Sequence, residues 1–161
     1  MGFQINVGNT ELVDYSKPIP AGKYICNVDK ASYEPKKMKQ DEHQLVFVFQ
    51  IIAGFSDDGE VDTKNPQVGR KFFKHYIDPN NERSEPYRNN ILYSLGYEAV
   101  DGVFEFDPHI EGYDDLAQDM VGKLIVVNTY IGKNTYNGKT TNVNRFGIFE
   151  PVTEDMDEVF Y

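Results

Sequence analysis

The chain has 161 residues, 40% of them apolar, and its 16 Lys and Arg stand against 26 Asp and Glu for a formal net charge of −10. That size and apolar content suit one domain with its own core. The chain has no apolar run of membrane-spanning length, and its opening positions are broken by Asn6, Glu11, Asp14, Lys17, Pro18 and Pro20, so we expect neither a membrane span nor a signal peptide but a soluble, intracellular protein.

Met1 to Pro20 has little periodicity and ends in Lys17-Pro18-Ile19-Pro20, which predicts an extended arm packed on the domain edge. From residue 21 to 149 the chain reads as a single domain. Five segments rich in β-branched and aromatic residues, bounded by turn residues, predict strands: Lys23 to Tyr33, Gln44 to Ala53, Arg70 to Ile77, Lys123 to Ile131 and Thr140 to Phe149. The apolar run Leu45 to Ile52 indicates a strand crowded on both faces. Between the third and fourth strands lies a helical signal: Ser84 can cap, Pro86 sits in the first turn, Tyr87, Ile91 and Leu95 recur every four residues, and Gly96 closes the end. Asp114 to Met120 adds a further helical turn. Asn137-Gly138 between two strand-like runs predicts a hairpin. Three strands, a helix and a final hairpin is the order of the oligonucleotide-binding fold, a five-stranded, partly open barrel; an antiparallel sandwich with one helix is the alternative.

The last twelve residues, Glu150 to Tyr161, form an acidic tail with no Lys or Arg. Too little apolar surface is present to offset its ordering entropy, so we expect it to be disordered until a partner supplies cations and a pocket for its rings. The plain alternative is a solvated tail that aids solubility.

Signals for catalysis are weak. Cys26 is the only cysteine, which excludes an internal disulfide framework, and His43, His75 and His109 are too scattered for a zinc site. Asp57, Asp58, Glu60 and Asp62 read as a solvated loop. Asp78, Asn80 and Glu82 have the spacing that starts a calcium loop, but Arg83 stands where glycine is required and Asn89 where glutamate is. No phosphate loop or nucleophile elbow is present, so we expect a non-enzyme without metal or cofactor.

A net charge of −10 argues against a nucleic-acid partner, yet the tail's five carboxylates carry half of it, and Met120 to Phe149 holds Lys123, Lys133, Lys139 and Arg145 with no Asp or Glu. Two smaller clusters precede it, Lys36, Lys37 and Lys39 in one turn and Arg70, Lys71, Lys74 and His75 in one strand. Period two on that strand places Arg70, Phe72, Lys74 and Tyr76 on one face, with Phe73 expected in the core. On the fourth strand Ile125, Val127 and Ile131 are expected inside while Lys123, Asn128 and Tyr130 face outward, and the next turn raises Lys133, Tyr136 and Lys139. Cations that follow phosphates, interleaved with rings on which bases stack, are what a sequence-independent single-strand binder needs. Phe72, Tyr76, Tyr130 and Tyr136 are the expected stacking rings.

Pro20-Ala21-Gly22-Lys23-Tyr24, the strand Leu45 to Ile52, Gly69-Arg70-Lys71-Phe72-Phe73, Gly122-Lys123 and Thr141-Asn142-Val143-Asn144-Arg145-Phe146 together resemble the phage single-stranded DNA-binding proteins of the oligonucleotide-binding fold. The likeness spans roughly Pro20 to Pro151. It implies action in phage DNA replication and recombination, in the host cytoplasm, with a homodimer among the assemblies open to the chain. It also implies that Asp155, Asp157, Glu158, Val159 and Phe160 recruit replication and recombination proteins; Tyr161 departs from the more usual terminal Phe. A tethered acidic tail would compete with DNA for the basic groove, so deleting Glu150 to Tyr161 is expected to tighten binding at low salt. The alternative from another class is an acidic structural protein or a DNA mimic that acts as a decoy.

Overall fold

The computed structural model describes residues 2–6, 8 and 12–160; Met1, Val7, Asn9, Thr10, Glu11 and Tyr161 lie outside the described residues. The fold is mostly antiparallel β structure with three short helices. Its strands are β1 (Gly22–Pro35), β2 (His43–Phe55), β3 (Val61–Asp62), β4 (His75–Ile77), β5 (Ala99–Val100), β6 (Val103–Phe104), β7 (Leu124–Tyr136) and β8 (Lys139–Phe146). The helices are α1 (Glu85–Ser94), α2 (Tyr113–Met120) and α3 (Glu154–Asp157). The main sheet runs β3-β2-β1-β7-β8, with β4 also pairing β2. β4 and β8 do not hydrogen-bond to each other, so the sheet is not closed into a barrel.

Its two faces are covered differently. Cys26 and Val28 of β1, Leu45, Phe47, Phe49 and Ile51 of β2, and Ile125 and Val127 of β7 point into the main core. There α1 contributes Ile91 and Leu92, and α2 contributes Leu116, Ala117 and Met120. The helical signal of α1 comes out one residue in from its predicted cap. Ser84 makes no side-chain cap bond, and Asn81 instead caps the preceding 3-10 turn by accepting from the Arg83 N–H. Gly96 ends the helix at φ 96°, a left-handed conformation natural to glycine. Tyr87, expected on the apolar stripe, is exposed.

On the other face Ile25, Ala53 and Val126 form a second cluster, and here the expectation of a disordered tail is overturned. Glu150 bridges to Val126 through a pair of backbone hydrogen bonds, and Thr153 caps α3 by accepting from the Met156 N–H. Val152, Met156 and Phe160 then pack on the second cluster beside Ile52, Phe55 and Val61. The physical reason lies in the spacing: Val152, Met156 and Phe160 recur every four residues, so α3 and the 3-10 turn that follows it gather them on one side and leave Glu154, Asp155 and Glu158 in water. Composition alone hides that stripe.

The third predicted strand is also corrected. Only His75–Ile77 is regular, and ahead of it Lys71 makes a lone bridge to Gln50. Between the pairs Gln50–Lys71 and Phe47–His75, β2 advances three residues and the other chain four. The extra residue is a bulge, which reverses the inside–outside alternation. At the front of the chain, residues 2–6 and Leu12 are exposed, while Tyr15, Lys17, Ile19 and Pro20 are held to the body by Arg70, Asn144 and Tyr24.

Candidate nucleic-acid interface

The bulge decides which rings face the solvent. Phe72, expected outside, is 3% exposed and packs edge-on against Tyr24 and Phe146. Phe73, expected in the core, is 92% exposed. Lys74 follows it into solvent, and after the bulge Ile77 is buried while Tyr76 is half exposed beside Val46. Phe72 is therefore withdrawn as a stacking ring, because a base can stack only on an accessible face.

Phe73 and Lys74 form one wall of a groove of about 280 Å3 that lies where the sheet is open. Tyr130 of β7 with Asn144 and Arg145 of β8 form the other wall, and Phe72, His75 and Phe146 the floor. The floor is aromatic because side chains fill the place of the missing β4–β8 ladder: the Phe146 ring meets Phe72 at 5.2 Å and His75 at 4.8 Å, both edge-on. Burial among these rings pushes the His75 imidazole down to about 4, so it is neutral at pH 7. None of the eight residues lining the groove is acidic.

The β7–β8 hairpin extends the same wall. β7 pairs with β1 only as far as Thr129, and from Tyr130 onward it pairs with β8 alone. Asn137 and Gly138 close it with φ of 52° and 75°, the two-residue turn whose twist matches the strands. Tyr136 stands opposite Lys139, and Lys133, Tyr136 and Lys139 are all exposed. Arg145 is pre-placed: it crosses over Gly132 and donates to the Lys133 carbonyl at 3.0 Å. A Cβ on Gly132 would lie 2.3 Å from Arg145 Nε, so this crossing requires glycine.

The remaining predicted cations go elsewhere. Lys36 is bonded to Asp78 at 2.5 Å and lies 3.7 Å from Glu42; the Asp78 hydrogen bond raises its ordinary pKa. Lys39 lies 3.8 Å from the same Glu42, and Lys37 is exposed in that turn, beside a recess lined by Asp41, Glu42 and Asp78. This cluster is thus an ion-paired turn away from the groove. Arg70 holds the N-terminal arm, donating to the Lys17 carbonyl at 2.6 Å and lying over the Tyr15 ring. Lys123 lies over the Tyr97 ring at 5.2 Å, and Lys71 pairs with Asp29 at 3.0 Å. Ile131, expected inside, is 41% exposed.

The tail does not enter the groove. Glu150 pairs with Lys23 at 2.9 Å and accepts from Asn128, both of which hold its carboxyl below the ordinary range. Asp155, Glu158 and Val159 are exposed, Asp157 is partly covered, and Phe160 is turned onto the sheet. Of the groove residues, Phe72 and Phe73 were placed on the wrong faces by alternation, whereas His75 lies on the inward side shared with Ile77; no signal in the sequence marks the bulge. The polar Asn144 fixes the groove's lip by bonding both the N–H and the carbonyl of Ile19, at 2.9 and 2.7 Å.

Among the described residues no cluster of His, Cys, Asp or Glu is placed to hold a metal ion, and no helix is long and apolar enough to cross a membrane. No protein-family model matches the chain, and the curated proteins contain no match to it.

Proposed function

We propose that the chain is a non-catalytic binder of single-stranded DNA that grips the strand without reading its sequence. The observation that carries this reading is the groove at the sheet opening. Two exposed rings, Phe73 and Tyr130, line it beside Lys74 and Arg145, with no carboxylate in the lining. The hairpin residues Lys133, Tyr136 and Lys139 continue the pattern outward, and Tyr76 offers a further exposed ring on β4. Each stacked base contributes about 1–3 kcal/mol, so two or three rings with a few cations suffice for useful affinity. The connectivity supports an oligonucleotide-binding type of fold left unclosed: three successive antiparallel partners, a helix, then a hairpin whose first strand returns to β1. Replication and recombination in a phage-infected cell is the setting that the resemblance in Pro20 to Pro151 implies. The tail's role in recruitment is part of the same proposal, with Asp155, Glu158 and Val159 available on the docked tail and Phe160 only after it undocks.

Titration of fluorescent oligo-dT across a salt series tests the reading. Binding is expected, with an affinity that falls as salt rises by about 0.7 per phosphate neutralised on a log–log plot. No binding at low salt would instead leave the acidic decoy, whose net charge of −10 repels DNA.

A further inference from the structure

The negative charge of the chain is unevenly placed. Asn89 to Gly122 holds eight Asp and Glu and no Lys or Arg, so this one stretch outweighs every other in the net charge of −10. Among the described residues none of these eight carboxylates forms an ion pair with a Lys or Arg. The stretch folds as most of α1, the β5–β6 hairpin and α2, and between α1 and the segment from Gly102 to Leu116 lies a groove of about 400 Å3. Leu92, Phe104, Phe106 and Ile110 give the groove an apolar lining, and Val103, 56% exposed, forms its lip. Glu85 and Glu111 line it as well. Arg88 is the one cation in that lining, and it is already engaged. It donates to the Pro79 carbonyl at 3.1 Å and to Asn89 Oδ1 at 2.9 Å, and it lies 3.8 Å from Glu85. Apolar surface and an excess of negative charge therefore meet in one place.

We propose that this groove docks a basic amphipathic segment of a partner protein, apolar side chains inward and Lys or Arg against the carboxylates. Both halves of that description are needed. An uncharged apolar segment would strip water from Glu85 and Glu111 without replacing it, which costs free energy. A basic segment without apolar anchors would leave the lining uncovered, and nucleic acid is repelled by its own sign. Charge complementarity thus selects the opposite kind of partner from the groove at the sheet opening, whose lining holds no carboxylate. A helix laid in the groove fits the chemistry, since anchors at i, i+3, i+4 and i+7 share one face and leave the other for cations. The carboxylates around the groove also draw a cationic segment in and speed its encounter. This site requires no nucleic acid and stands apart from the DNA-binding reading.

The test uses a short fluorescein-labelled peptide of lysine and leucine with its leucines at that helical spacing, titrated by anisotropy and stopped flow into the full chain. A scrambled peptide of the same composition is the control. The helically spaced peptide is expected to bind in a salt-dependent manner and more tightly than the scrambled one. Glu85→Gln/Glu111→Gln is expected to weaken binding by roughly fivefold, mainly through slower association. Val103→Ser is expected to weaken it by roughly threefold, through faster dissociation. Asp155→Asn/Glu158→Gln removes as many charges from the tail and is expected to leave the affinity unchanged, with the far-UV circular dichroism of all three variants that of the original chain. Absence of binding, equal affinity for the scrambled peptide, or an equal loss on neutralising the tail overturns the proposal. Self-association of the chain that disappears in Glu85→Gln/Glu111→Gln would give the groove to a second copy and overturns it too.

Discussion

Leaving a phenylalanine ring in water forgoes about 2 kcal/mol of burial, and Phe73 does so at 92% exposure beside Phe72, which is almost fully covered. The two are neighbours on opposite faces, and the bulge at Phe73 and Lys74 sets which of them points inward relative to Ile77. Phe73→Ala and Tyr130→Ala are each expected to weaken oligo-dT binding by about 1–3 kcal/mol, roughly 5- to 150-fold, and equally for all base sequences. The urea midpoint should hardly move, and a change confined to one base composition would contradict the stacking role. Gly132→Ala acts on the same site from behind. Its Cβ would displace Arg145 from the Lys133 carbonyl, so the variant is expected to lose affinity and flatten the salt dependence as Arg145→Ala does. Retention of the full salt slope in Gly132→Ala would show that the guanidinium needs no such placement. His75 gives a pH signature. Its folded pKa is about 4, below the unfolded value of about 6.5, so the unfolded chain takes up the proton first as pH falls. Stability is full above about pH 6.5 and is lost toward pH 4, by about 2 kcal/mol at pH 5. Urea midpoints at pH 7 and pH 5 should show this fall, and His75→Phe should reduce it; an identical fall in both proteins would exonerate the imidazole.

The C-terminal element couples sequence spacing to the back of the sheet. Val152, Met156 and Phe160 cover Ile25, Ala53 and Val126, so truncation after Glu150 exposes an apolar face as well as removing charge. We expect Phe160→Ala to cost about 1 kcal/mol, since the ring is only partly buried, and truncation to cost more, with a matching rise in binding of a hydrophobic dye. An unchanged urea midpoint after truncation would show that the docked tail contributes nothing to the fold. Tightening of DNA binding on truncation, expected when the tail was read as a free string, now requires action at a distance from the groove, because the tail lies on the other cluster. Helices and long strands were legible because their signals are local: Gly96 after a four-residue stripe, Asn137-Gly138 between β-rich runs, Leu45 to Ile52 as one apolar strand. The groove was half legible. Lys74, Tyr130 and Arg145 come from runs that alternate cleanly or lack carboxylates. Phe73 and Phe72 are interchangeable in sequence, and only pairing with β2 reveals the extra residue between Lys71 and His75. The lysines at 36 and 39 misled for a similar reason, since Asp78 reaches that turn from a distant part of the chain.

At the scale of the whole molecule, β1 is the strand on which the rest depends. It pairs with β2 along one edge and β7 along the other, and its Ile25 and Cys26 point into the two separate clusters. Opening either face alone would leave the other intact only if β1 could keep one set of partners. Because the tail and the helices both pack on residues of this strand's neighbours, loss of β1 removes both cores at once. The fold should therefore unfold as one unit. Cys26 reports on this directly: it is 0% exposed, and burial pushes its thiol far above the ordinary range. A thiol reagent can reach it only when β1 separates from β2 and β7. Its labelling across a urea series is expected to follow the same midpoint as the far-UV circular dichroism. Labelling that precedes loss of circular dichroism would mean that the β1 centre opens while the helices and outer strands persist, and the single-unit account would fail.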